Sequence, residues 1–199
     1  MSDHASRSGQ AAPAPLSHPM AAGAAAAPSP WVLRFAPLIP EGATVLDYAC
    51  GSGRHARGLA ARGLQVHAVD RDPDALRPLA GVPGVQARRL ELEDDDWPLQ
   101  GETFDAVVVT NYLHRARFDA LLGLVRAGGL FIYETFMIGN ERFGKPSNPA
   151  FLLRPGELLE RVGAGWTVIA FEQGETAVPR SAVVQRICAV KATTIPRLP

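Results

Sequence analysis

Four residues are spaced for ligand chemistry: Asp47, Gly51, Gly53 and Asp70. Gly51-Ser52-Gly53 stands between the apolar run Val45-Leu46-Asp47-Tyr48-Ala49-Cys50 and a helix-forming stretch that begins at Arg54. Such a turn lets the backbone approach a ligand closely, and the free N–H groups of the following helix favour a negative group. The spacing through Ala56 also satisfies the dinucleotide pattern G-x-G-x-x-G/A, so the glycines alone admit a nicotinamide cofactor. Asp47 discriminates. Its carboxylate, at a strand end before Gly51, gains a pyrophosphate site nothing, whereas a cationic group would pair with it. Asp70 ends the next apolar run, where an acid accepts hydrogen bonds from ribose hydroxyls or caps the turn Arg71-Asp72-Pro73.

The elements that must hold these residues follow from periodicity. Trp31 to Ile39 reads as a short helix ended by Pro40, Ala43 to Tyr48 as a buried strand, and Arg54 to Arg62 as a helix stopped by Gly63. Leu64 to Val69 is a second strand, and Pro73 to Ala80 a short helix with Asp72 as N-cap. Strands over Val85 to Leu92 and Phe104 to Thr110 come next, the latter apolar enough to be covered on both faces. A helix over Arg115 to Arg126, capped by Gly128-Gly129, leads to a strand over Leu130 to Thr135. After a helix over Pro155 to Val162, strands Trp166 to Phe171 and Ala182 to Lys191 lack a helix-length connection and predict an antiparallel hairpin. The alternation predicts an α/β fold with a doubly wound, mostly parallel seven-stranded sheet and a C-terminal antiparallel hairpin.

Leu46-Asp47-Tyr48-Ala49-Cys50-Gly51-Ser52-Gly53 resembles the first motif of class I S-adenosylmethionine-dependent methyltransferases, and Asp70 their second-strand acid. Phe104 to Asn111 is similar to their fourth strand, Arg126-Ala127-Gly128-Gly129-Leu130 to the turn into their fifth, and the hairpin to their usual ending. The resemblance spans roughly Val45 to Lys191. It implies S-adenosyl-L-methionine as cofactor, its methionine moiety surrounded by Asp47, Ala49, Cys50, Gly51, Gly53 and Asn111. Asp70 and Arg71 would border the ribose. The adenine amino group would go to Glu91 or Glu93, with the Leu92 backbone beside it.

Open α/β sheets bind ligands beyond the carboxyl ends of their strands, so an acceptor should meet Asn111-Tyr112-Leu113-His114 and Tyr133-Glu134-Thr135-Phe136. Methyl transfer needs an aligned nucleophile, and a base if the acceptor is protonated. His114, Tyr133 and Glu134 are the catalytic candidates, although His114 equally suits the start of a helix and Tyr133 the core. Tyr112 and the polar stretch Gly139 to Pro149 would line the acceptor, as a lid or as a plain connection. Within it Asn140, Arg142 and Lys145, followed by Arg154, predict a positive lining for an anionic small molecule. Phe151 to Leu158 is similar to small bacterial methyltransferases of the tellurite-resistance type. Asn111-Tyr112-Leu113-His114 departs from the Asn/Asp-Pro-Pro-aromatic signature of adenine-amino and glutamine-amide methylation, which disfavours that chemistry.

Composition narrows the partners. The 199 residues suit one domain, and 20 basic against 20 acidic residues give no overall positive field for nucleic acid. RNA or protein methylation is the alternative activity, and a methyltransferase-like partner subunit without turnover the alternative class. Cys50 and Cys188 both read as small buried side chains, which suggests a reducing, cytoplasmic setting without disulfides. Asp94-Asp95-Asp96 lacks a histidine or amide partner and reads as a solvated loop, so no metal is expected. Residues 1–29 are Ala/Pro-rich and read as a disordered tail without a secretory signal, ahead of a domain over 30–199; Met20 is a second candidate start.

Overall fold

The computed structural model describes residues 27–192. Most of the tail expected over 1–29, and the alternative start at Met20, lie outside them. Ser29, counted in that tail, belongs to the fold: it is buried, and its hydroxyl accepts the Trp31 N–H at 3.1 Å to cap the first helix, α1 (Pro30–Phe35).

The chain then alternates as the apolar runs require: β1 (Thr44–Tyr48), α2 (Arg54–Ala60), β2 (Gln65–Asp70), α3 (Pro73–Leu76), β3 (Val85–Arg89) and β4 (Phe104–Thr110). α4 (Phe118–Gly123), β5 (Val125–Phe136), α5 (Glu157–Arg161), β6 (Thr167–Thr176) and β7 (Ala182–Val190) complete it. The seven strands form one sheet in the order β3-β2-β1-β4-β5-β7-β6. β7 runs antiparallel to β5 and β6, and the other pairings are parallel.

Alternation along the strands assigns each residue a face. Val45, Val66, Ala68, Ala106, Val108, Leu130, Ile132 and Cys188 meet Trp31, Val32 and Phe35 of α1 and Ala56 and Leu59 of α2. On the other face Leu46, Tyr48, Val107, Val109, Phe131, Tyr133 and Ile187 meet Phe118 and Leu121 of α4 and Leu158 of α5. Asp47, Thr110 and Glu134 therefore point toward the α1/α2 side at the carboxyl ends of their strands.

Several boundaries differ from the sequence expectation: β6, expected to end at Phe171, runs on to Thr176, and the first helix, expected to reach Ile39, gives way to a 3₁₀ turn after Phe35. β3 stops at Arg89 because it is the edge strand, paired on one side only, and its outer residues are largely exposed. The helix expected over Arg115 to Arg126 is a 3₁₀ turn (Arg115–Arg117) followed by the short α4, since Val125 already pairs with Phe104. Gly128-Gly129 consequently lie inside β5, at a register shift, rather than capping a helix. Gly129 is needed there by close approach: a Cβ would fall 2.7 Å from the Asp105 carbonyl oxygen. Among the described residues no helix is long and apolar enough to cross a membrane.

Candidate active site

The turn after β1 holds three left-handed residues in five, Ala49 (φ 54°), Gly51 (φ 54°) and Gly53 (φ 72°). This winds the chain sharply from strand to helix. A Cβ on Gly51 would meet nothing within 4 Å, which leaves open space over the turn, whereas one on Gly53 would run into the Leu79 side chain. The Cys50 N–H is spent on the Val69 carbonyl at 3.0 Å, and burial pushes the Cys50 thiol up, so it is a neutral packing group.

Asp47 lies behind this turn, 1% exposed. Its Oδ2 accepts the Ala56 N–H at 2.9 Å, while its Oδ1 is buried without a hydrogen-bond partner among the described residues. Burial pushes its pKa up from 3.8 to about 7, against the pull of the Ala56 N–H and the Arg54 charge. An unpartnered carboxylate oxygen in such a place fits a cationic ligand group. The Asp70 carboxylate reaches back to the turn, Oδ2 accepting from Gly51 N–H at 2.7 Å and Oδ1 from Asp72 N–H at 2.9 Å. Asp72 in turn caps α3. Asp70 thus acts as a turn residue and still has acceptor capacity for hydroxyls.

The two acids after β3 separate. Glu91 is exposed and accepts the Leu92 N–H at 3.2 Å. Glu93 turns inward, 3.5 Å from the Tyr112 hydroxyl and 3.6 Å from Arg71 Nη1. Tyr112 packs edge-on to Tyr48 at 5.5 Å, which fixes the chain beyond Asn111, itself left-handed at φ 55° with its N–H on the Glu134 carbonyl.

The three catalytic candidates go different ways. Tyr133 belongs to the core on the α4/α5 face, 1% exposed, and its hydroxyl donates to the Tyr112 carbonyl at 2.6 Å. It supports the Asn111–Tyr112 turn from beneath instead of facing an acceptor. Glu134 accepts from Ser29 Oγ at 2.7 Å through Oε1 and from Arg186 Nη1 at 3.1 Å through Oε2. Oε1 ties the N-cap of α1 to the sheet, and Oε2 joins β5 to β7. His114, half-buried, lies four residues past β4 and directly precedes the 3₁₀ turn, as its alternative reading had it; its buried Nδ1 has no partner among the described residues.

The expected positive lining of the 139–154 segment is not formed as predicted. Arg142 pairs with Glu175 at 3.2 Å, and Arg154 with Glu160 at 3.0 Å, so carboxylates of the chain take both charges. Asn140 is buried: Nδ2 donates to the Pro146 carbonyl at 3.1 Å and Oδ1 accepts the Val183 N–H at 3.1 Å. Its amide fastens the segment to β7. Lys145 stays exposed.

Sequence reasoning missed four residues here. Arg115 grips buried Glu157 with two hydrogen bonds of 2.7 and 3.0 Å and donates to the carbonyls of Ala150 and Leu152, both at 2.7 Å. Burial opposes ionisation of Glu157, yet the Arg115 guanidinium and the Arg154 N–H outweigh it and hold the carboxyl below its ordinary range. In sequence, Glu157 shows only as an acid in a helix's first turn. His55 accepts the Ser29 N–H at Nε2 (3.1 Å), so the neutral ring carries its proton on Nδ1, 3.3 Å from Thr110 Oγ1. Burial and the Arg54 charge push its pKa down to about 3. Arg54, half-buried directly after Gly53, feels Glu134, Asp47 and Arg180; its place beside the glycine turn was the available signal.

Residues 45–128 match the family described as "Methyltransferase domain". Human methyltransferase-like protein 27 is 40% identical over 103 residues, 48% of this chain and 42% of that protein, so the chain spans less than half of the relative. Three solved structures are similar in fold. TehB from Haemophilus influenzae has a TM-score of 0.68 at 18% identity, over 80% of this chain and 60% of that one. An S-adenosylmethionine-dependent methyltransferase from Methanosarcina mazei has 0.64 at 15% identity, over 85% and 100%. The glycopeptide N-methyltransferase MtfA, complexed with S-adenosyl-L-homocysteine, has 0.57 at 18% identity, over 80% and 87%. Family match, sheet order and glycine turn agree: residues 45–128 match a methyltransferase domain, and the chain has the fold of the S-adenosylmethionine-dependent methyltransferases to which it is similar.

Proposed function

We propose that the protein transfers the methyl group of S-adenosylmethionine to a small molecule. The observation that carries the cofactor half of this reading is the buried Asp47 carboxylate, with one oxygen unpartnered among the described residues behind an open glycine turn. Asp47 would hold the ammonium of the methionine moiety, Asp70 the ribose hydroxyls, and Glu93, the inward-turned acid, the adenine amino group. When bound, the cofactor supplies an electrophilic methyl group on a sulfonium. His114, in the loop after β4, would take the proton that a hydroxyl or amine acceptor loses. Tyr133 and Glu134 act behind this surface: one supports the Asn111–Tyr112 turn, the other pins α1 against the strand ends.

A small acceptor is favoured over nucleic acid by the equal numbers of acidic and basic residues, which leave no general pull on a phosphate backbone. The test begins with calorimetric titration of S-adenosylhomocysteine into the protein, with Asp47→Ala as the weakened control. Metabolite extract and isotopically labelled cofactor then identify the product by mass. No binding by the intact protein refutes the cofactor assignment. Label appearing only in RNA or protein refutes the small acceptor.

A further inference from the structure

We infer that His55 is a positioning residue for the methyl donor: it holds the first turn of α2 so that the Asp47 carboxylate keeps one oxygen free for the ligand. This rests on the proposed reading in which Asp47 meets the ammonium of the methionine moiety. His55 is 1% exposed, so it acts only through what it holds. It stands two residues after Gly53 and directly before Ala56, whose N–H binds Asp47 Oδ2 at 2.9 Å. Among the described residues that is the one hydrogen bond of the Asp47 side chain, and it leaves Oδ1 unpartnered. A tilt of the turn therefore moves the Ala56 N–H and swings the carboxylate with it.

The His55 ring resists that tilt. Its Nε2 accepts the Ser29 N–H at 3.1 Å, and its Nδ1 lies 3.3 Å from Thr110 Oγ1. A neutral ring that accepts at Nε2 carries its proton on Nδ1, so the two contacts together fix the tautomer and the ring plane. Each partner leads on to a strand end. Thr110 closes β4 and directly precedes Asn111. Ser29 donates through Oγ to Glu134 on β5 at 2.7 Å, and the Glu134 carbonyl accepts the Asn111 N–H at 2.9 Å. Pro28 presses the same stretch against α2, since a Cβ on Gly58 would fall 2.8 Å from its ring. One buried imidazole thus joins the helix behind the glycine turn to the Asn111 turn, the two places that the methionine moiety is proposed to touch.

Calorimetry on the full chain, with S-adenosylhomocysteine as the probe, tests this through a double-mutant cycle of His55→Leu and Asp47→Ala. Circular dichroism and urea midpoints record folding and stability. Asp105→Asn, which loosens the Thr44 contacts at the amino end of β4, is the destabilised control. His55→Leu should weaken binding about fivefold or more in the wild-type background and less than about twofold in the Asp47→Ala background. His55→Gln, which can accept from one partner and donate to the other, should recover most of the loss, and Asp105→Asn should bind as wild type does. Thr110→Val keeps the shape of its site while removing the Oγ1 contact; it should show the same dependence on background at about threefold, and it carries the test if His55→Leu does not fold. Equal losses in both backgrounds, or a loss in Asp105→Asn as large as in His55→Leu, show a merely structural role and overturn the inference alone. Unchanged affinity in the folded variants does the same. Wild type that binds no S-adenosylhomocysteine, or Asp47→Ala that binds it as wild type does, overturns the cofactor reading of Asp47 and this inference with it.

Discussion

Replacing Asp47 by Asn should stabilise the empty protein and spoil its cofactor site at once. The Asp47 carboxyl is buried and its pKa is raised from 3.8 to about 7. A raised acid in the folded state binds its proton more tightly than the unfolded chain does, so the stability it contributes is full below pH 3.8. That contribution is lost as pH rises through about 7. Linkage puts the whole loss near 4 kcal/mol at pH 8 and about 2 kcal/mol at pH 5. Asn removes the charge and can still accept the Ala56 N–H, but its amide N–H inherits the unpartnered Oδ1 position at a cost of about 1–3 kcal/mol. The variant should therefore gain about 1–3 kcal/mol at pH 8, and the gain should shrink by about 2–3 kcal/mol at pH 5. Urea unfolding at the two pH values, with and without S-adenosylhomocysteine, reads this directly. The wild type should also bind S-adenosylhomocysteine about tenfold more weakly at pH 6 than at pH 8, because Asp47 must shed its proton to meet the ammonium. A pH-independent stability difference between the two proteins refutes the buried-charge reasoning. Equal protection of both by S-adenosylhomocysteine refutes the ammonium contact.

Glu157→Gln should cost about 2–3 kcal/mol at pH 7 by leaving Arg115 half-buried without its carboxylate. Because the Glu157 pKa is lowered, that deficit should fade as pH drops below the ordinary glutamate range, as urea midpoints at pH 7 and pH 3 would show; a constant deficit counts against the ion pair. Gly53→Ala forces a left-handed alanine into Leu79 and should lose about 2–3 kcal/mol, seen in thermal melts, along with most S-adenosylhomocysteine affinity. An unaltered melt rules out that clash. Glu134→Gln should loosen α1, exposing the chain near Ser29 to limited proteolysis and lowering stability by about 1 kcal/mol. Full stability with lost turnover would make Glu134 catalytic instead.

Sheet and turn were legible in the sequence because each is a local pattern. The apolar β-branched run Val107-Val108-Val109 has few alternatives to a central strand, and Asp72-Pro73 announces a helix start. Gly128-Gly129 misled because two glycines after a helical stretch look like a cap; only the tertiary pairing of Val125 with Phe104 puts them inside a strand. The acceptor side was harder for the same reason. Arg142 and Arg154 read as available cations, and their partners Glu175 and Glu160 are fixed by how the hairpin and α5 fold back. Residue type marked Glu134 as reactive, but its burden became visible only with Ser29 and Arg186 in place.

The Arg115–Glu157 grip has a mechanical meaning. One guanidinium binds the buried head of α5 and two carbonyls of the 149–152 stretch, and Asn140 rivets the other end of the same segment to β7. A flap hinged there would have to tear an ion pair from the interior before it could swing. The segment is thus a wall and not a door. Both ends of the segment are set when the chain folds, so its path over the end of β5 is part of the folded framework.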